Sequence, residues 1–189
     1  ITGDNARSKF LQAQIDKVVP KLRQMVEYGN AKGGLMFKPF PSNKEIAIDF
    51  VQADQFLPIA FDANGNITSC IFIDQRVQGK DYFTRLEWHE FDSSKSSITI
   101  KNLAFKSTNA DDIGNQIDLA SFPAWAVLKP IATIKNVKAP LYGYYRFPMA
   151  NNIDPTSPLG VSCYARAVDL IRQADELWSN LLWEFESGK

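Results

Sequence analysis

Few residues in this chain have the type and spacing that catalysis needs. The single histidine, His89, stands between Glu87 and Glu90 in an alternating stretch, Asp81 to Phe91. On a strand, Glu87 shares its face and Glu90 does not. A carboxylate beside an imidazole can orient a general base. One histidine cannot furnish a histidine-rich metal site, however, and no H-E-x-x-H occurs. A triad would need a nucleophile brought in by the fold. His89 is therefore expected at the surface or a sheet edge. Asp62-Ala-Asn-Gly-Asn-Ile-Thr68 has the side chains of a calcium loop without its spacing, since the glycine comes early and no bidentate Glu follows. Gly33-Gly34 leads into neither G-K-[ST] nor G-x-G-x-x-G. Asp111 and Asp112 are adjacent carboxylates in a polar loop, the pattern of a solvated turn. Cys70 and Cys163 are far apart with no zinc spacing, and are expected as free thiols in a reducing cytosol. No catalytic, cofactor-binding or metal-ligating residue is assigned, and the chain is not expected to be an enzyme.

The most constrained stretch is Gly143-Tyr-Tyr-Arg-Phe-Pro-Met-Ala-Asn-Asn-Ile-Asp-Pro-Thr-Ser-Pro-Leu-Gly160. Pro148, Pro155 and Pro158 fix φ and remove donors, so neither a helix nor a central strand runs through it. Asn151, Asn152, Asp154, Thr156 and Ser157 can satisfy their own turns. The segment reads as a rigid loop of 148–160 joining an aromatic strand to a helix. Arg146, Asn151, Asn152 and Asp154 are expected to organise it and so to aim that helix.

The elements around the loop predict an α+β fold: an antiparallel β meander with a leading helix and a long C-terminal helix. Over 5–29, Leu11, Ile15, Val18, Val19, Leu22, Met25 and Val26 follow one helical face. Asp4 or Asn5 can cap it, Pro20 should kink or split it, and Gly29, Gly33 and Gly34 stop it. Residues 34–147 read as mainly β. Strands are expected over 35–40 and 45–51 around Pro41-Ser-Asn-Lys44, and over 56–61 and 67–77 around the Asn64-Gly65 turn signal. Two more follow over 81–91 and 98–105, on either side of Asp92-Ser-Ser-Lys-Ser-Ser97. Consecutive hairpins make a meander. Residues 119–128, with Phe122 and Trp125 between prolines, read as a short helix or irregular turn packing on the sheet. Strands are expected again over 131–135 and 141–147. The helix over 161–186 carries two stripes, one through Ile171, Trp178 and Phe185 and one through Leu170, Leu177 and Leu181. A stripe that wide implies burial on more than one side.

A chain of 189 residues suffices for one domain. Hydrophobic residues at 45% and charged ones at 22% are ordinary for a globular protein. Lys+Arg and Asp+Glu balance at 21 each, which argues against a protein devoted to non-specific phosphate binding. No apolar run approaches the roughly 20 residues of a bilayer span, and no signal-peptide pattern opens the chain. It begins with Ile1 and ends with Glu186-Ser-Gly-Lys189, and is expected to be a fragment of a longer protein.

Six short segments, spread in order over nearly the whole length, carry a resemblance: Ala31-Lys-Gly-Gly34, Asp49-Phe-Val-Gln-Ala-Asp54, Phe56-Leu-Pro58, Thr84-Arg-Leu-Glu-Trp-His89, Asn151 to Gly160, and Trp183-Glu-Phe-Glu186. In these the chain resembles portal proteins of tailed phages and prophages of Gram-positive bacteria. The resemblance implies a structural subunit of a ring, usually of twelve, at one vertex of the capsid. Double-stranded DNA passes through such a ring in packaging and ejection. It implies location in the virion, with assembly in the host cytoplasm. The implied partners are other portal subunits, the terminase motor, head-completion, scaffolding and capsid proteins, and DNA in the channel. The motor, not the portal, hydrolyses ATP, and no cofactor is implied. Residues 1–189 correspond to a single wing-like domain whose last helix leads towards the stem. The segments that meet motor and DNA are expected beyond Lys189.

Two other readings compete. One is a small-molecule or nucleotide-binding enzyme domain with a pocket at the Pro/Asn-rich loop. The other is a DNA-binding module using Arg7, Lys9, Lys17, Lys21 and Arg23 on the leading helix. Interspersed acids and apolar residues make that helix read as an ordinary solvated face.

Overall fold

The structure is a computed structural model and describes residues 2–42 and 45–188. The leading helix, α1 (Ala6–Lys32), has Asn5 as its N-cap, whose side chain accepts from the Ser8 amide at 2.8 Å. Pro20 lies inside one uninterrupted helix, so the chain is not split there. Gly29 does not stop it either. It is buried inside the helix, where an added Cβ would lie 3.0 Å from the Leu35 Cβ. The stop is Gly33, left-handed at φ 87°, a conformation that costs an L side chain energy.

Among the described residues nine strands follow: β1 (Gly34–Ser42), β2 (Glu45–Gln52), β3 (Phe56–Phe61), β4 (Ile67–Gln78), β5 (Asp81–Asp92), β6 (Ser97–Ser107), β7 (Asn115–Ile117), β8 (Ile131–Lys135) and β9 (Gly143–Arg146). They form two antiparallel sheets. The smaller has the order β2-β1-β9; the larger runs β3-β4-β5-β6-β7, with β8 also on β6. The meander expected from sequence is β3 to β6. Its Asn-Gly hairpin has Gly65 at φ 78°, and Asp62 accepts the amides of Asn64 and Asn66. The turn between β1 and β2 includes Asn43 and Lys44, which lie outside the described residues.

The sheets meet over one core. Met36 and Val51 of the smaller sheet pack with Phe56, Ile67, Cys70 and Phe72 of the larger, and Tyr142, Tyr144 and Leu159 close the edge. A satellite cluster forms where the stretch 119–128 folds onto the larger sheet. Leu119 and Trp125 pack on Phe83 and Ala104, and the Phe122 and Trp125 rings lie 4.5 Å apart. Burying each such side chain contributes roughly 1.5–3 kcal/mol.

The final helix, α2, spans Val168–Ser187. It starts later than the pattern predicts, because 162–167 is a pair of tight turns, with the Ala165 and Ala167 amides bonded three residues back. None of its residues is buried. Among the described residues no helix is long and apolar enough to cross a membrane.

Candidate functional site: the junction that roots the last helix

The residues that place α2 come from both ends of the chain. β9 pairs with β1, putting Arg146 opposite Gly34 and Tyr145 opposite Leu35. The pairing continues one step further, with the Phe147 amide on the Gly33 carbonyl at 3.1 Å. The chain then leaves for the proline-rich loop and returns to the same place. A Cβ on Gly33 would lie 2.6 Å from the Val161 carbonyl carbon, and one on Gly160 would overlap the Gly33 carbonyl oxygen. Two glycines are needed because two backbones cross in contact. The Gly160 amide donates to the Tyr144 hydroxyl at 3.1 Å. The Cys163 amide donates to the Asn30 carbonyl at 2.9 Å, and the Asn30 side chain accepts from the Tyr145 hydroxyl at 2.9 Å. Burial pushes the Tyr144 hydroxyl up from its ordinary pKa, so it stays protonated.

Three of the four loop residues singled out by sequence hold this path. Arg146 donates to the Pro158 carbonyl at 3.3 Å. Asn151 accepts the amides of Ile153 and Asp154 and donates to the Leu159 carbonyl. Asp154 accepts the amide and hydroxyl of Thr156, and this bonding holds its carboxyl below the usual range. Asn152 is exposed, with no side-chain bond among the described residues. The parts that sequence reasoning missed are the crossing of Gly33 with Gly160 and the tie to Asn30. A glycine pair read as a helix stop gave no sign of a second backbone.

A second polar cluster lies between the sheets. In register, Cys70 faces His89, Phe72 faces Glu87 and Asp74 faces Arg85. Lys38 reaches across from β1 to Glu87 at 2.9 Å, and Arg85 joins Glu87 at 3.1 Å. His89 is not at the surface or an edge. It is 3% exposed, packed edge-on against Phe72 and Tyr142, with Nε2 2.7 Å from Glu87. β5 is a central strand, and the strand pattern could not show which face the smaller sheet covers. Burial pushes the Glu87 carboxyl up, but the His89 hydrogen bond and the Lys38 and Arg85 charges outweigh it and hold it at about 2. Ionised Glu87 only accepts, so His89 Nε2 carries the proton. Nδ1 has no partner. The Cys70 thiol is pushed up to about 12 by burial and is inert as a nucleophile. The cluster is a cross-sheet clamp, and its Asp74, Arg85 and Glu87 also line a cleft of about 540 Å³ with Phe40, Asn102 and Trp125.

A cleft of about 430 Å³ lies beside the loop, lined by Asp62, Asn66, Phe91, Lys138, Tyr142 and Tyr144, among others. Among the described residues no group of three or more His, Cys, Asp or Glu is placed to hold a metal ion. Asp111 and Asp112 are exposed, with Asp112 accepting the Gly114 amide. Both cysteines are free. The arrangement defines an α+β domain whose best-built feature is a mechanical junction. No protein-family model and no curated protein matches the chain.

Proposed function

We propose that this chain is a wing-like part of a phage portal subunit, a structural component of the ring through which double-stranded DNA enters and leaves the capsid. In this reading the 148–160 loop fixes the direction in which α2 leaves the domain. One observation carries it: four of the six segments that hold the portal resemblance, far apart in sequence, meet near the root of α2. Gly33 lies against Gly160 and Val161. Lys32 pairs with Asp54 at 2.6 Å. The Phe56 ring packs on Tyr144, and Leu159 packs on the core that contains Phe56 and Val51. Residues gathered at a joint between a compact domain and a projecting helix suit a part that transmits position and force. Other portal subunits are its direct partners. Terminase, head-completion, scaffolding and capsid proteins would be met through the full-length protein.

The enzyme reading rests on the cleft beside the loop. Phe91, Tyr142 and Tyr144 share its lining with small, apolar and polar residues, and Lys138 and Asp62 are its charged groups; among the described residues it pairs no nucleophile with an activating base. Sedimentation of the chain over a concentration series, paired with melting in nucleotide and divalent ions, separates the two. A monomer or weak, reversible oligomer with melting indifferent to those ligands is the expected result, and a ring-sized particle would place assembly contacts in this part of the subunit. A monomer at every concentration whose melting rises specifically with nucleotide or a divalent ion would overturn it.

A further inference from the structure

The clamp residues Asp74, Arg85 and Glu87 share a cleft of about 540 Å³ with the stretch 124–129, a size within the roughly 300–1,000 Å³ of small-molecule sites. Phe40, Ile100, Trp125, Val127 and Leu128 give it apolar walls. Trp125 is 3% exposed and packed in the satellite cluster, which fixes that wall. Asn102, also buried, stitches the stretch to β6. Its amide donates to the Pro130 carbonyl at 2.8 Å, and its side chain donates to the Lys129 carbonyl at 2.9 Å. The cleft is therefore formed in advance of any ligand.

Its polar groups are unbalanced. Arg76, Arg85 and Lys129 line it against Asp74 and Glu87, three cations to two carboxylates. Both carboxylates are already engaged. Asp74 accepts from Arg76 Nε at 2.6 Å and from Trp125 Nε1 at 3.4 Å. Glu87 holds His89 on one oxygen and Lys38 and Arg85 on the other. On the donor side two groups are left over. Arg85 places Nη1 on Asn102 and Nη2 on Glu87, while its Nε is buried with no acceptor among the described residues. The Lys129 ammonium has no partner among the described residues either. An unpaired buried donor is unfavourable, and a cleft with donors to spare suits a ligand that brings an acceptor. The cleft beside the 148–160 loop also has a free cation, Lys138, but among the described residues no buried polar atom without a partner lines it.

We propose that the cleft over the clamp binds a small apolar monocarboxylate, its hydrocarbon body against Trp125, Ile100 and Phe40 and its carboxylate towards Lys129 and the Arg85 guanidinium. The apolar walls supply affinity, and the surplus cations select an anion over a neutral molecule of the same shape. This goes beyond the ring reading and does not depend on it.

The test uses 2-naphthoate as the probe and 2-naphthamide, the same shape without the charge, as its control, both on the full chain. Naphthoate should shift the Trp125 indole N–H resonance saturably, and bind about tenfold or more tightly than naphthamide. Added salt should weaken it. Lys129 is exposed and outside the clamp, so Lys129→Gln should leave melting unchanged. It should weaken naphthoate roughly threefold or more, while Lys138→Gln should have no effect. Equal binding of acid and amide would overturn the proposal, as would a Trp125 resonance that neither compound moves. Binding lost in Lys138→Gln but kept in Lys129→Gln would put the probe in the other cleft, and would overturn it too.

Discussion

Gly33 and Gly160 are 127 residues apart in sequence, yet a side chain on either would strike the backbone of the other's segment. Gly33 also sits at φ 87°. Gly33→Ala therefore combines left-handed strain, about 1–3 kcal/mol, with displacement of Val161. Gly160→Ala has the steric part alone. Both variants should melt lower than the parent, with Gly33→Ala the worse, and limited proteolysis should cut first between 147 and 167. Equal melting of Gly33→Ala and the parent would refute the close crossing.

Tyr144→Phe removes only a hydroxyl and leaves the Gly160 amide without its acceptor. An orphaned, part-buried donor costs about 1–3 kcal/mol. Chemical denaturation should show that loss with an unchanged m-value, since no surface is newly exposed. Hydrogen exchange at the Gly160 amide should quicken in the variant.

The loop asparagines should behave unequally although they are neighbours. Asn151 makes three hydrogen bonds to backbone groups, and Asn152 has none among the described residues. Asn151→Ala should cost about 1–3 kcal/mol in thermal or chemical unfolding, while Asn152→Ala should stay within about 0.5 kcal/mol of the parent. The reverse order would mean that the loop is not organised from Asn151.

The Glu87 clamp makes a pH prediction. Its folded pKa of about 2 lies below the ordinary 4.5. A depressed acid stabilises the fold above its unfolded pKa, and that stability fades as pH falls from about 4.5 towards 2. The size is on the order of 3 kcal/mol, since each pKa unit is worth about 1.4 kcal/mol. Glu87→Gln should lose stability at pH 7, where Lys38 is left without its counter-charge and Arg85 keeps only Asp74, 3.7 Å away. Its melting temperature should also fall less steeply than the parent's between pH 5 and 3. Parallel pH profiles for the two proteins would contradict the clamp.

Local structure was legible in the sequence because its causes are local. The stripe from Leu11 to Val26, the Asn-Gly turn and the alternation in 81–91 each sit within one short continuous stretch, and each matches an element. What escaped was set by distant partners. Nothing near Ile98 says that β8 will lie on β6, or near Gly143 that β9 will cross to β1. The burial of His89 follows from the smaller sheet covering that face, and the turns at 162–167 from the tie to Asn30. At the loop, the side chains bonding their own turn were readable, and the glycine crossing was not.

The pairing of β1 with β9 also governs the order in which the chain can fold. β1 emerges early in synthesis with only β2 beside it, and its other edge must wait for residues 143–146. Closing a loop of that length takes place late and slowly, because the entropy is lost before the contacts form. A nascent chain halted before Gly143 would therefore carry an open strand edge at Gly34–Phe37 exposed to other chains. Refolding should show the meander β3–β6 protected from exchange first, with protection of β1 and of the root of α2 arriving together in a single later step.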